Sequence, residues 1–299
     1  MIRYIDEREL GRDEAAPEAG RERLDRLDIP PVRELPDPVR RDIGRQVLRE
    51  TLGGGRGRRR RALAQWGRHR LAADSVEALR TAGIFGTVEL SDLAELFDSA
   101  KRAKRTFQEL ERDGLWRVER FQRGGRRIDA VSLSGRGRQL LERTIDPRER
   151  GDEGPQAYLS GPARAAQVLH DTAVYRAARC ELRRLAAEGA EVRRVRTERQ
   201  LQRIALRRMD AGRRSGEDDR EARQAAAGQL QLAVIDGRLS FPDVRIEWER
   251  PAAVGEAGFV DIEVTTADYR QSSLLAKAVA GYQVYRMAAD GRVSRQETG

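Results

Sequence analysis

Two stretches late in the chain alternate strictly between apolar and polar side chains. In LSFPDVRIEW, Val244, Ile246 and Trp248 alternate with Asp243, Arg245 and Glu247; in GFVDIEVTT, Val260, Ile262 and Val264 alternate with Asp261, Glu263 and Thr265. A period of two is that of a half-buried strand, so each stretch has one face for a core and one face rich in acid. The intervening RPAAVGEAG lets the two pair as a hairpin. Acids brought together on one face repel each other and are costly unless a cation or a basic side chain neutralises them. Either a divalent metal or a basic neighbour, with Arg245 and Lys277 as the candidates, must therefore accompany this hairpin.

The rest of the chain is organised around that demand. At 299 residues it is long enough for two domains of ordinary size. Charged residues make up 36% and aromatics 5%, which concentrates core-forming material in a few segments. Within residues 1–72, positions 1–45 alternate acids and bases and are broken by Pro30, Pro31, Pro36 and Pro38, and a run with seven arginines lies between Gly53 and Arg70. They read as a poorly ordered basic arm. Residues 146–161, rich in Gly, Pro and charge, read as a linker between a unit at 73–145 and one at 162–299. In the second unit a long helix from about Pro162 to Glu188 precedes a candidate strand near Val192 and Val195. A polar, helix-prone insertion follows near 199–228. QSSLLAKAVAGYQVY reads as a closing helix with Leu274, Leu275, Val279, Tyr282 and Val284 apolar. After Tyr285 little resembles a further core strand.

The unit at 73–145 gives three short helices and then two extended runs joined by QRGGRR. DSVEALRTAG is closed by Gly83, and VELSDLAELF is an extended piece followed by a helix capped at Ser91. In the third helix Ala103, Phe107 and Leu110 recur at helical spacing, while Lys101, Arg102, Lys104 and Arg105 crowd its first turns. Basic residues there oppose the helix dipole, a cost explained if they face phosphates and base edges. The order of elements resembles a winged helix-turn-helix. The resemblance implies that the third helix reads double-stranded DNA and that Arg123, Arg126 and Arg127, at the hairpin tip, reach adjacent phosphates.

Pro242-Asp243 on the first acidic strand and Glu263 on the second resemble the PD-(D/E)xK nuclease superfamily. The fold class implied is α+β or α/β, a winged helix followed by a degenerate restriction-endonuclease-like domain. The resemblance implies catalytic acids Asp243 and Glu263 that hold Mg²⁺, an ion suited to oxygen ligands. The family's lysine two positions after the second acid is Thr265 here, and Lys277 on the following helix is the candidate replacement. From VLHDTAVYRAARCEL through RLSFPDVRIEW and FVDIEVTT to LLAKAVAGY, the order of elements is similar to that of the replication-relaxation family of plasmids and integrative elements. This implies DNA binding in replication-relaxation or mobilisation, with metal-dependent nicking as one option. The alternative is a winged-helix regulator with an inactive C-terminal interaction domain.

Charge agrees with a polyanion partner: the formal net charge is +9, although 55 of 58 basic residues are Arg, so clusters count for more than totals. The three lysines, Lys101, Lys104 and Lys277, all fall in the stretches singled out above. No run reaches the ~20 apolar residues of a membrane helix. The N-terminus has no secretory pattern, and the single Cys180 forms no internal disulfide. The expected location is cytoplasmic, with a homodimer or relaxosome-type protein partner compatible with the sequence. His170, beside Leu169, reads as a packed histidine.

Overall fold

A computed structural model describes residues 71–123, 125–143, 156–250, 256–265 and 271–296. The arginine run at 53–70 and the linker up to 155 lie outside the described residues.

The architecture is mixed α+β. Its first part runs α1 (Ala73–Phe85), β1 (Val88–Glu89), α2 (Leu90–Ala94), α3 (Ala100–Arg112), β2 (Trp116–Arg123), β3 (Arg126–Leu133) and α4 (Gly135–Arg143). β2 and β3 form the hairpin, and β1 adds to the far side of β3 to give the order β1-β3-β2. Ala103, Phe107 and Leu110 are fully buried on the inner face of α3, where Phe107 packs against Phe97 and Trp116 with ring centroids 5.3 Å apart in each pair. Two local expectations change. Gly83 lies inside α1, which continues to Phe85; its missing Cβ leaves room for Leu133 and Tyr158, whose side chains would stand 2.9 Å from one. α2 begins at Leu90, one residue before Ser91, and has no side-chain cap.

The second part runs α5 (Val168–Ala187), β4 (Glu191–Thr197), α6 (Glu198–Arg214), α7 (Asp219–Leu230), β5 (Val234–Ile235), β6 (Arg238–Leu239), β7 (Val244–Glu249), β8 (Ala257–Thr265), α8 (Gln271–Val279), β9 (Gln283–Met287) and β10 (Val293–Arg295). Five strands form a sheet in the order β10-β9-β8-β7-β4, parallel only between β8 and β9. Val195, Val244, Ile246, Ile262 and Val264 are buried in the same cluster as Ala173, Ala177 and Leu182 of α5, as the alternation requires. The stretch expected as an insertion forms α6 and α7, held together through Met209, Ala222 and Ala226.

α5 starts at Val168 rather than Pro162, because the preceding backbone is bound elsewhere. Ala163 N–H donates to Glu119 of β2 at 2.6 Å, and Gly161 N–H donates to Leu133 O at 3.0 Å. Residues 156–161, expected as linker, thus strap onto the first part, and Tyr158 is buried there. The closing helix also ends early. Gly281 takes a φ of +89°, Tyr282 N–H closes back onto Lys277 O at 3.0 Å, and Val284 and Tyr285 become buried residues of β9. The core strand that seemed missing after Tyr285 is present, because it begins two residues before that position.

The two parts share one apolar cluster. Phe85 meets Tyr175 edge to face at 5.0 Å, both within the same buried set as the sheet. Beside this pair, Arg176 of α5 bonds Glu89 at 2.5 Å, Asp92 at 2.8 Å and Gly291 O at 2.7 Å. Arg126 reaches the same Glu89 at 2.5 Å and Asp290 O at 2.8 Å. Removing Arg176 leaves buried Asp92 without its bonded cation and Glu89 with Arg126 alone, so Arg176→Ala is expected to cost about 3–5 kcal/mol. Calorimetry should show one cooperative transition in both proteins, displaced downward in the variant. Two separate transitions in the parent would show that the parts unfold independently.

Candidate functional site

The acidic hairpin sets the site. β7 and β8 pair with Val244 opposite Ile262 and Arg245 opposite Asp261. Continuing that register by one residue places Asp243 opposite Glu263, on the same face as the Arg245 and Asp261 pair. Asp243 stands just before β7 and is held from three directions. Its Oδ2 accepts from Val264 N–H at 2.7 Å, its Oδ1 lies 3.0 Å from His170 Nε2, and its main-chain oxygen accepts from Glu198 N–H at 2.9 Å. Glu263 is 3% exposed and pairs with the Lys277 ammonium, which reaches it from α8. Lys277 also lies 5.9 Å from the Tyr282 ring centre.

The acids are therefore brought together and met by bases. Lys277 does for Glu263 what the sequence left open to Lys277 or Arg245. Arg245 is engaged elsewhere: it grips Asp261 through two bonds of 2.6 and 2.7 Å, lies 3.9 Å over the Phe259 ring, and donates to the main-chain oxygens of Leu230 and Gln231. Thr265 carries no charge to the site; its hydroxyl donates to Tyr285 O at 3.2 Å and joins β8 to β9.

His170, which the sequence reads as a packed residue, is the side chain that meets Asp243. It lies 73 positions before Asp243 and no spacing rule joins them. Burial alone would lower its pKa from the ordinary 6.5, but the Asp243 carboxylate in contact with it, with Asp171 and Glu263 beyond, raises it to about 9. At neutral pH it is an imidazolium whose Nε2–H donates to Asp243. Burial raises the carboxyl pKa values of Glu198 and Asp171, with Asp243 adding to the rise in each case. His170, Asp171, Asp243 and Glu198 line a cleft of about 120 Å³, which Arg164, Arg199 and the Phe85–Thr87 turn complete. Arg199 is steadied there by Gln167 Oε1 at 2.7 Å.

As arranged, these side chains do not fit a divalent ion. Both oxygens of Asp243 already accept from donors, and an ammonium sits against Glu263. Among the described residues no three His, Cys, Asp or Glu side chains are grouped to hold a metal.

The residues expected to touch DNA divide into two kinds. On α3, Arg102 pairs with Asp74 at 2.9 Å and Arg105 with Glu109 at 2.9 Å. Lys101 and Lys104 have no ion-pair partner among the described residues, and Lys101 is exposed. At the hairpin, Arg127 pairs with Asp129 at 3.1 Å. Arg126, expected at the tip, is turned toward Glu89 and Asp290, because a buried carboxylate holds a guanidinium more firmly than solvent does. Arg123 closes β2, and its side chain lies outside the described residues. No helix of the described residues is long and apolar enough to cross a membrane.

Comparisons with protein-family models, curated proteins and solved structures found no match to this chain.

The His170 geometry predicts a pH signature. A folded-state pKa raised above the unfolded 6.5 contributes stability that is fully present below pH 6.5 and is lost as pH rises through about 9. His170→Gln should thus destabilise the protein at pH 6 and much less at pH 10, measured by urea denaturation at the two values. Equal losses would show that the imidazole charge contributes nothing. Asp243→Ala, which strips Val264 N–H and His170 of their acceptor, should cost about 1–3 kcal/mol in metal-free buffer. If Mg²⁺ raises the melting temperature of the parent and not of this variant, the acids bind a cation in place of their basic partners.

Proposed function

We propose that this chain is a DNA-binding protein. In this reading residues 73–143 act as a winged helix-turn-helix whose α3 enters the major groove of duplex DNA, and the five-stranded sheet is a degenerate nuclease-like domain. Its acid centre is closed by ion pairs and grips or orients DNA rather than cutting it. The reading extends to the replication-relaxation setting, a DNA-processing accessory of a plasmid or integrative element.

One observation carries it. On α3 every described arginine, Arg102, Arg105 and Arg112, has found a carboxylate, yet Lys101 and Lys104 in its first turns have none among the described residues, nor has Arg117 on β2. α3 is anchored by Ala103, Phe107 and Leu110 on its opposite side and capped by Ser99, whose hydroxyl accepts from Arg102 N–H at 3.3 Å. A rigid helix that withholds two ammonium groups from internal pairing is suited to phosphates and base edges. Arg102 and Arg105 are expected to steady this surface from within.

The metal-dependent nicking alternative is favoured by a different fact, the convergence of Asp243, Glu263 and Lys277 at the ends of β7, β8 and α8. The basic partners at both acids favour the non-cutting reading. Lys101→Ala/Lys104→Ala should weaken duplex binding by about 1–3 kcal/mol for each base edge that the variant no longer bonds. If the two lysines touch only phosphates, the weakening should be uniform across sequences. Fluorescence anisotropy with the full chain and several duplexes checks this. Unchanged affinity at moderate salt would remove α3 as the reading element.

A further inference from the structure

We infer that α6 is a second nucleic-acid contact, a helix that tracks a phosphate backbone leading to the Asp243 centre. This rests on the nucleic-acid reading but not on α3. Arg203, Arg207 and Arg214 recur at spacings of four and seven, which places them within about 40° of arc on one side of the helix. All three are exposed, and none has a carboxylate partner among the described residues. The opposite side is anchored: Leu201, Ala205 and Met209 are buried. Asp210 falls beside the same arc, but it is engaged by Arg213 at 3.0 Å.

What sets α6 apart is the row itself, arginines that follow one another along one side of a helix. Some helical arginines are met by an acid three or four positions away, as in Arg105 with Glu109, Arg138 with Glu142 and Arg184 with Glu188, while Arg143 and Arg220, like the α6 row, have no carboxylate partner among the described residues. On α6, Arg203 instead has Arg199 four positions before it and Arg207 four positions after it. Like charges at that spacing destabilise a helix. An external polyanion removes the repulsion and replaces it with charge-assisted, bidentate bonds of the kind that guanidinium groups make with phosphate.

Position supports the same partner. α6 begins where Glu198 N–H meets Asp243 O at 2.9 Å, so the arginine row runs outward from the acid centre. From Arg203 to Arg214 it extends roughly 16 Å, alongside about five phosphates of one strand at their axial spacing. An anionic membrane surface is the weaker fit. Membrane-surface helices set a continuous apolar face beside their basic residues, whereas on α6 only Leu206 is a large hydrophobic that is strongly exposed, at 57%.

The test measures binding of the full chain to a labelled 30-base-pair duplex as salt is raised. Arg203→Ala/Arg207→Ala should lower affinity about tenfold at moderate salt and reduce the slope of log affinity against log salt by about 1.8, the share of two phosphates. Arg203→Lys/Arg207→Lys should keep the slope. Arg193→Ala/Arg292→Ala removes the same charge from arginines already paired with Glu249 and Asp290, and should leave the slope unchanged. Equal weakening in the two alanine pairs would overturn the inference, since net charge alone would then explain both. Weakening in Lys101→Ala/Lys104→Ala but not in the α6 pair would overturn it and leave α3 standing; the reverse would uphold α6 and remove α3. A parent chain that binds no duplex overturns both. Binding to phosphatidylserine–phosphatidylcholine vesicles that needs Arg203 and Arg207, with DNA affinity unchanged, would overturn it in favour of a membrane surface.

Discussion

Asp243 joins four elements through three acceptor groups. Its carboxylate takes the Val264 N–H of β8 and the His170 imidazolium of α5, while its main-chain oxygen, just before β7, takes the first N–H of α6. An ionised carboxylate is suited to this because hydrogen bonds to charged groups are about twice as strong as neutral ones. The bond to Glu198 N–H also satisfies one of the four donors that any helix leaves open at its start. The position of α6, the end of the central strand pair and the placement of His170 therefore depend on one side chain and the peptide oxygen beside it. In the proposed reading the same residue is also the first acid of the nuclease-like resemblance, so a structural and a functional demand would fall on one carboxylate.

Arginine pairing sorts the surface. An arginine-rich chain has to neutralise most of its guanidinium groups or accept repulsion, and the buried ones here are met in pairs and triads. Arg176 and Arg126 share Glu89; Arg245 is clamped to Asp261; Arg196 meets Glu247 at 3.0 Å. Such pairs contribute less to net stability than their geometry suggests, because desolvation offsets the attraction. They do make the arrangement specific, since removing either partner leaves a buried charge. Against that background, the grouping of basic side chains without partners in the first turns of α3 and in one row on α6 carries information that total charge does not.

Legibility in the sequence followed the range of the interaction. The alternation at 243–248 and 260–265 specified β7, β8 and which face each side chain takes, because period two is a local property. The inner face of α3 was equally plain, since Ala103, Phe107 and Leu110 lie within two turns. The spacing that reads as a helix over 271–285 overreaches because Tyr282 and Val284 happen to continue it; Gly281 at positive φ and the pairing of Glu263 with Val284 override it. Long-range partners were invisible. Nothing local says that His170 meets Asp243, that Arg126 leaves the hairpin tip for Glu89, or that Glu119 captures the backbone before α5.

Those long-range ties also decide what the two parts can do together. Glu89 lies on β1, the edge strand of the first sheet, and is held by Arg126 from β3 and by Arg176 from α5. Two residues before Arg176 on the same helix, Val174 lines the cleft that also contains Phe85, His170 and Asp243. The helix bearing His170 is thus packed on one side against the five-stranded sheet and tied on the other to the first sheet by buried ion pairs. Surfaces carried on the first part and on the second are held in a set relation by one shared core, so ligand contacts made by both add within a single rigid frame instead of across a swinging linker.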